Sequence, residues 1–205
     1  MDNKAYLDEI AVKGKKKFSA GPLLTPLMIK LIIVGVFAVI AMMIVGNMLS
    51  DSNKKVAEIH EAVYTRVNSL VNPNGPIELY NRKVKSSALH TYTMSLISTL
   101  TTTKARLSAV ASAINLDPAN ITPDVTAADQ ANLFTYNSEL EEAYLNGVLD
   151  ITYATSTAYQ ISLLISLENQ ARSKTSDANY AKVLDDSIRD LTVIQENFKN
   201  YSDTH

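Results

Sequence analysis

The sequence predicts an all-α protein: a single N-terminal transmembrane helix followed by an extended antiparallel helical bundle of about four helices. Three observations carry that expectation. Residues 31–49 form an almost unbroken apolar run whose one strongly polar member is Asn47. Glycine and proline are scarce, at six each in 205 residues, which favours long helices over strand-rich folds. Beyond residue 50, apolar side chains recur every three or four positions, the spacing of one helical face.

The apolar run is 19 residues long, close to the roughly 20 that span a bilayer core. A cleavable signal has a core of about 7–15 residues and small residues at the cut. Here the core is longer, and Met48 and Leu49 at its end are poor occupants of a small-residue cleavage site. The expected segment is therefore an uncleaved anchor over residues 27–49. Lys13, Lys15, Lys16, Lys17 and Lys30 precede or edge it, whereas only Lys54 and Lys55 follow closely. That bias places residues 1–26 in the cytoplasm as a short basic tail and residues 50–205 outside. A single pass of a cell membrane, with the lipid bilayer as first partner, is the expected address. The lack of cysteine fits an exported bacterial protein and excludes disulfides, thiolate metal sites and a cysteine nucleophile. The lysines of the tail are read as topology determinants in preference to a lipid-binding patch.

The first outer helix carries Val56, Ile59, Val63, Val67 and Leu70 on one face and stops at the Pro- and Asn-rich cluster over residues 71–76. A second is expected from Pro76 to about residue 115, with Ala88, Tyr92, Leu96, Leu100, Thr103, Leu107, Val110 and Ile114 as its stripe. Thr126 and Asp129 read as a capping box for a third helix running to about Ser173. Leu133, Leu140, Tyr144, Ile151, Thr155, Ala158, Ser162 and Ile165 mark its main face, with an eleven-residue period. The fourth starts near Ser176 and Asp177 and buries Ala181, Leu184, Ile188, Leu191, Ile194 and Phe198. Unbroken, the second and third helices would be about 60 and 70 Å long, too long to run back beside the first. Asn81, Gly147 and residues 101–103 are the candidate break points.

The chemistry-bearing residues do not assemble into a catalytic constellation. His60 lies on an apolar stripe, and His90 points away from its own. Neither has a second ligand one helical turn away, so no metal or other cofactor is expected. The adjacent pairs His60-Glu61 and Glu141-Glu142 cannot share a helix face. Arg82, Lys83 and Lys85 near Tyr80 read as a solvated basic face rather than an anion site. A net charge of −2 with 20% charged residues argues against nucleic acid. Core-facing Tyr92, Tyr144, Tyr180, Thr103 and Thr155 could line a polar cavity, although hydroxyls bonding back to their own helices explain them more cheaply.

A second apolar face on the third helix, Leu145, Leu149, Leu163 and Leu167, is the most informative anomaly. A surface helix needs one stripe, so these leucines are the candidate interface for a protein partner or a second copy. The expected function is that of a non-enzymatic scaffold or adaptor in a cell-envelope assembly. The alternative is an extracytoplasmic ligand-binding sensor that signals through a partner.

Overall fold

A computed structural model describes residues 52–204; the expected anchor and its flanking lysines, residues 1–51, lie outside the described residues. Among the described residues there are six α-helices and no strand. They are α1 (Ser52–Leu70), α2 (Pro76–Asn81), α3 (Ser87–Val110), α4 (Pro123–Leu145), α5 (Leu149–Lys174) and α6 (Ala178–Thr204), with a 3-10 turn over Ala111–Ile114 closing α3. None of these helices is long and apolar enough to cross a membrane.

The all-α expectation is met, with six helices instead of four. The chain breaks at two of the three candidate points and runs straight through residues 101–103. At the second break Gly147 takes φ 73°. The Val148 N–H donates to the Ala143 carbonyl at 3.0 Å, and the Gly147 N–H donates to the Tyr144 carbonyl at 3.2 Å. These paired bonds form a Schellman cap, which satisfies the last carbonyls of α4 and ends it. Asn115, at φ 53°, closes the turn after α3 in the same manner. The first break has no glycine or proline to mark it. It is held from a distance: the Asp150 carboxylate accepts the Lys85 and Ser86 backbone N–H groups at about 3.0 Å. With both breaks in place, α3 and α5 are 24 and 26 residues long, about 36 and 39 Å, commensurate with α1 and α6.

α1, α3, α6 and α5 form a ring of mutually packed neighbours, with the broadest contact between α5 and α6. That pair is joined by only residues 175–177, so α6 doubles straight back along α5. The core of the ring is the stripe each sequence segment supplies. It includes Val63, Val67 and Leu70 from α1, Leu96, Leu100 and Leu107 from α3, and Leu184, Leu191 and Phe198 from α6. α5 contributes Ala154, Ile161, Leu164 and Ala171 together with several buried polar residues. α4 lies outside this ring, against α1 and α5, with α2 at its side. Only Tyr136, Leu140 and Ala143 of α4 are buried, against eleven residues of α5.

Two expectations need correction here. The capping box at Thr126 does not start a helix, because α4 begins three residues earlier at Pro123. Its first turn is served instead by Glu61 of α1, whose carboxylate accepts the Thr122 N–H at 2.9 Å. The eleven-residue face also fails across Gly147. Tyr144, Ile151 and Thr155 are exposed, because the turn resets the helical phase and α5 presents Tyr153, Ser156 and Thr157 inward instead.

Gly147→Ala should destabilise the chain by about 1 kcal/mol, since a Cβ meets no neighbour there but the left-handed backbone disfavours it. Urea unfolding with an unchanged slope checks this, and Gly147→Asn should recover part of the loss.

Candidate functional site

The outer face of α4 exposes the two most solvent-accessible large apolar side chains among the described residues. Phe134 and Leu145 are each 74% exposed. They are eleven residues apart, which at about 100° per residue places them within about 20° of one another on the helix and about 16 Å apart along it. Tyr144, Val148 and Ile151 continue the exposed apolar surface around the turn into α5. The residue following a Schellman glycine commonly packs inward, yet Val148 is 51% exposed.

The candidate leucines are not brought together as one stripe. Leu145 is on the surface of α4, Leu149 is buried at the start of α5, and Leu163 and Leu167 are half-buried further along α5. The turn at Gly147 separates the first from the rest. Of the four, Leu145 alone lies on the exposed face; sequence reasoning missed Phe134 because it falls off both projected stripes.

What holds α4 in place is largely polar. Arg66 of α1, 2% exposed, donates to Asp129 of α4 at 3.0 Å and also to Gln160 of α5. Tyr136 of α4 pairs its hydroxyl with Thr157 of α5 at 2.7 Å. Beside the exposed face, Tyr80 of α2 donates to Glu141 of α4, and Lys83 sits over the rings of Tyr80 and Tyr144 at 4.6 and 4.5 Å. Lys83, Arg82 and Lys85 thus occupy the α2–α3 connection and not a helix face, and Lys83 serves as a local brace.

The ring encloses a second polar group. Glu168 of α5 is fully buried; its Oε1 accepts from Ser187 of α6 at 2.7 Å, and Ser187 accepts from Thr103 of α3 at 3.2 Å. Its Oε2 and the buried Tyr180 hydroxyl have no hydrogen-bond partner among the described residues. Burial pushes the Glu168 carboxyl up to about 8, the Ser187 bond offsetting part of it. On the other side of Tyr180, the His60 ring packs edge-on at 4.9 Å. Burial lowers the His60 pKa, and the Ile114 backbone offsets part of that. Near neutrality both groups are therefore uncharged, which suits a closed core.

Thr103 and Ser187 also form the floor of a small cleft between α3 and α6, lined by Ser98, Thr102, Arg106, Asp186 and Asp190. Its volume of about 110 Å³ is well below the several hundred that ligand pockets usually have. Its one cation, Arg106, is paired with Asp186 at 3.2 Å. The predicted polar lining is dispersed: Tyr144 and Thr155 are exposed, Tyr92 is half-buried, and only Tyr180 and Thr103 are interior. His90 lies far from His60 in role, bonding Asn81 at 3.0 Å. No group of three acidic, histidine or cysteine side chains able to hold a metal occurs among the described residues.

The interior makes stability pH-dependent with a definite sign. Glu168 has a folded pKa of about 8, above its ordinary 4.5, so the stability it confers is complete in acid and lost as pH rises from about 4.5 to 8. His60 acts oppositely, costing stability as pH falls below 6.5. Wild-type stability from urea unfolding should decline from pH 6.5 to 8, where Glu168 acts alone, by at most about 1.4 kcal/mol per unit, with the two effects opposed below 6.5. Glu168→Gln should abolish the alkaline decline and leave the acid one; parallel profiles would refute the assignment. Comparison with protein families, with curated proteins and with solved structures found no match to this chain.

Proposed function

We propose that the chain is a non-enzymatic adaptor tethered to a cell membrane by residues 27–49, holding its helical domain outside the cytoplasm and docking a protein through the exposed face of α4. The carrying observation is the pair Phe134 and Leu145, aligned on one face of a helix that contributes little to the core. Large apolar anchors aligned on the solvent-facing side of a helix are the pattern of helix-in-groove recognition. The tether rests on the sequence: the apolar length of residues 31–49 and the lysine excess before it. A positional role is supported by the interior bonds that brace one helix to another, among them Arg66–Asp129, Tyr136–Thr157 and Thr93–Tyr153. The cleft between α3 and α6 is too small and too well neutralised to favour the sensor reading.

Two experiments test this. In full-length chain extracted in mild detergent, native electrophoresis should show an assembly larger than one chain, and Phe134→Ser with Leu145→Ser should collapse it to the size of the chain alone. The double variant should unfold at the wild-type temperature, because neither side chain is buried. An unchanged assembly size would sink the docking surface. For topology, the absence of native cysteine allows single reporters. Asn200→Cys should react with an impermeant maleimide in intact cells and Ser19→Cys only after permeabilisation; the reverse pattern would overturn the orientation.

A further inference from the structure

The charge on α4 itself is one-sided, although Lys83 of the α2–α3 connection borders its exposed face at Tyr144. From residue 107 to residue 171 the sequence holds eight Asp or Glu and not one Lys, Arg or His. α4 alone carries five carboxylates and no cation. Two of the five are answered from elsewhere: Asp129 by the buried Arg66, and Glu141 by Tyr80 and Lys83. Asp124 and Glu142 stay exposed, and at about 100° per residue both fall about 70° to the same side of the line through Phe134 and Leu145, Glu142 within its length and Asp124 about 15 Å before it. The Glu139 carboxyl beneath is pushed up by burial, and the neighbouring Glu142 charge adds to the shift.

Resting on the adaptor reading above, we infer that the partner is a protein presenting an apolar groove rimmed by Lys and Arg, which takes Phe134 and Leu145 as anchors and sets its cations against Glu142 and Asp124. The sign of the charge decides among possible occupants. Anionic lipid and nucleic acid would meet a surface of their own sign. A second copy is disfavoured for the same reason. Antiparallel α4 helices would set each Phe134 against the other copy's Leu145, but would also bring together two sets of carboxylates with no cation on either helix. A basic-rimmed groove is the one occupant that satisfies both the anchors and the charge, with the apolar centre supplying affinity and the rim supplying selectivity.

The test places a photo-crosslinking side chain, p-benzoylphenylalanine, at position 134 or 145 of the full-length chain in its own membrane. Met94 on α3, 60% exposed, is the comparison position. The expected result is a crosslink from 134 and 145, absent from 94, into a protein segment whose sequenced peptide combines apolar residues with flanking Lys or Arg. Adding Gln130→Lys and Glu142→Lys, both exposed positions, should cut the yield by roughly tenfold, as expected for like charges set opposite one another. Glu142→Gln should weaken it only slightly.

The two readings fail separately. Crosslinks at 134 and 145 no stronger than at 94 would remove the docking surface itself. Crosslinks that survive charge reversal, or that map to an acidic or neutral segment, would keep the surface and overturn the basic partner. A crosslink joining two copies of this chain would replace it with a self-association that salt strengthens.

Discussion

The placement of α4 depends on one buried cation. Arg66 sits on the inward side of α1, 2% exposed, and a guanidinium taken out of water must be answered by fixed partners. Asp129 and Gln160 supply them, one from α4 and one from α5. Because the partners come from different helices, satisfying Arg66 fixes three elements at once. The apolar contribution of α4 is small, three buried residues, so the helix is located more by this pair than by packing. Glu61, also of α1, accepts the Thr122 N–H and fixes the start of the same helix. α1 therefore acts as the template on which α4 is laid, and the face of α4 turned away from it is left to solvent.

The ring itself relies on a different balance. Its helices meet through apolar stripes, but hydroxyls are threaded between them. Thr93 pairs with Tyr153 at 2.9 Å, Tyr153 donates to the Ile77 carbonyl, and Thr103 and Ser187 lead to Glu168. Each such bond contributes only about 1 kcal/mol net, yet leaving one partner unmade costs more, so together they fix which helix faces which. Glu168 remains compatible with the core only as the neutral acid, and His60 only as the neutral imidazole. The two penalties oppose one another below about pH 6.5, and above it the Glu168 loss acts alone.

Much of this architecture was legible in residue spacing. The stripes of α1, α3 and α6 fall where periodicity puts them, because each of these helices has one buried face and few polar residues on it. The breaks at Asn81 and Gly147 were legible as necessities of length, and Gly147 also as a residue suited to positive φ. What could not be read was the phase after Gly147. A projection that assumes one continuous helix carries Tyr144 and Ile151 inward, whereas a cap of three residues turns α5 and brings Tyr153 and Thr157 in. The polar interior was hidden for a related reason. Arg66, Gln160 and Glu168 look like surface residues locally, and only partners 94, 63 and 19 residues away make them interior. Asp150 capping α3 from α5 is of the same kind. For the candidate interface, sequence identified the region and one residue, Leu145, but the anchor that matches it, Phe134, required knowing where α4 lies.

That position bears on how docking would act. Phe134 and Leu145 do nothing for the isolated domain, while burying each in a partner's groove would be worth about 1.5–3 kcal/mol. α4 is the element with the least apolar attachment to the ring relative to its 23 residues, so it is also the element whose local opening costs least. A partner that covers its outer face would supply the second buried stripe that α4 lacks. Binding and the ordering of α4 would then be linked: the groove would gain a rigid helix, and α4 a second apolar contact beside its polar ties to α1 and α5. On the proposed reading the exposed carboxylates would act before that contact forms, drawing in basic surfaces at the range of a Debye length. The same helix would then be held from within by polar ties and a short apolar face, and selected from without by its exposed anchors and the carboxylates beside them, two faces governed by different forces.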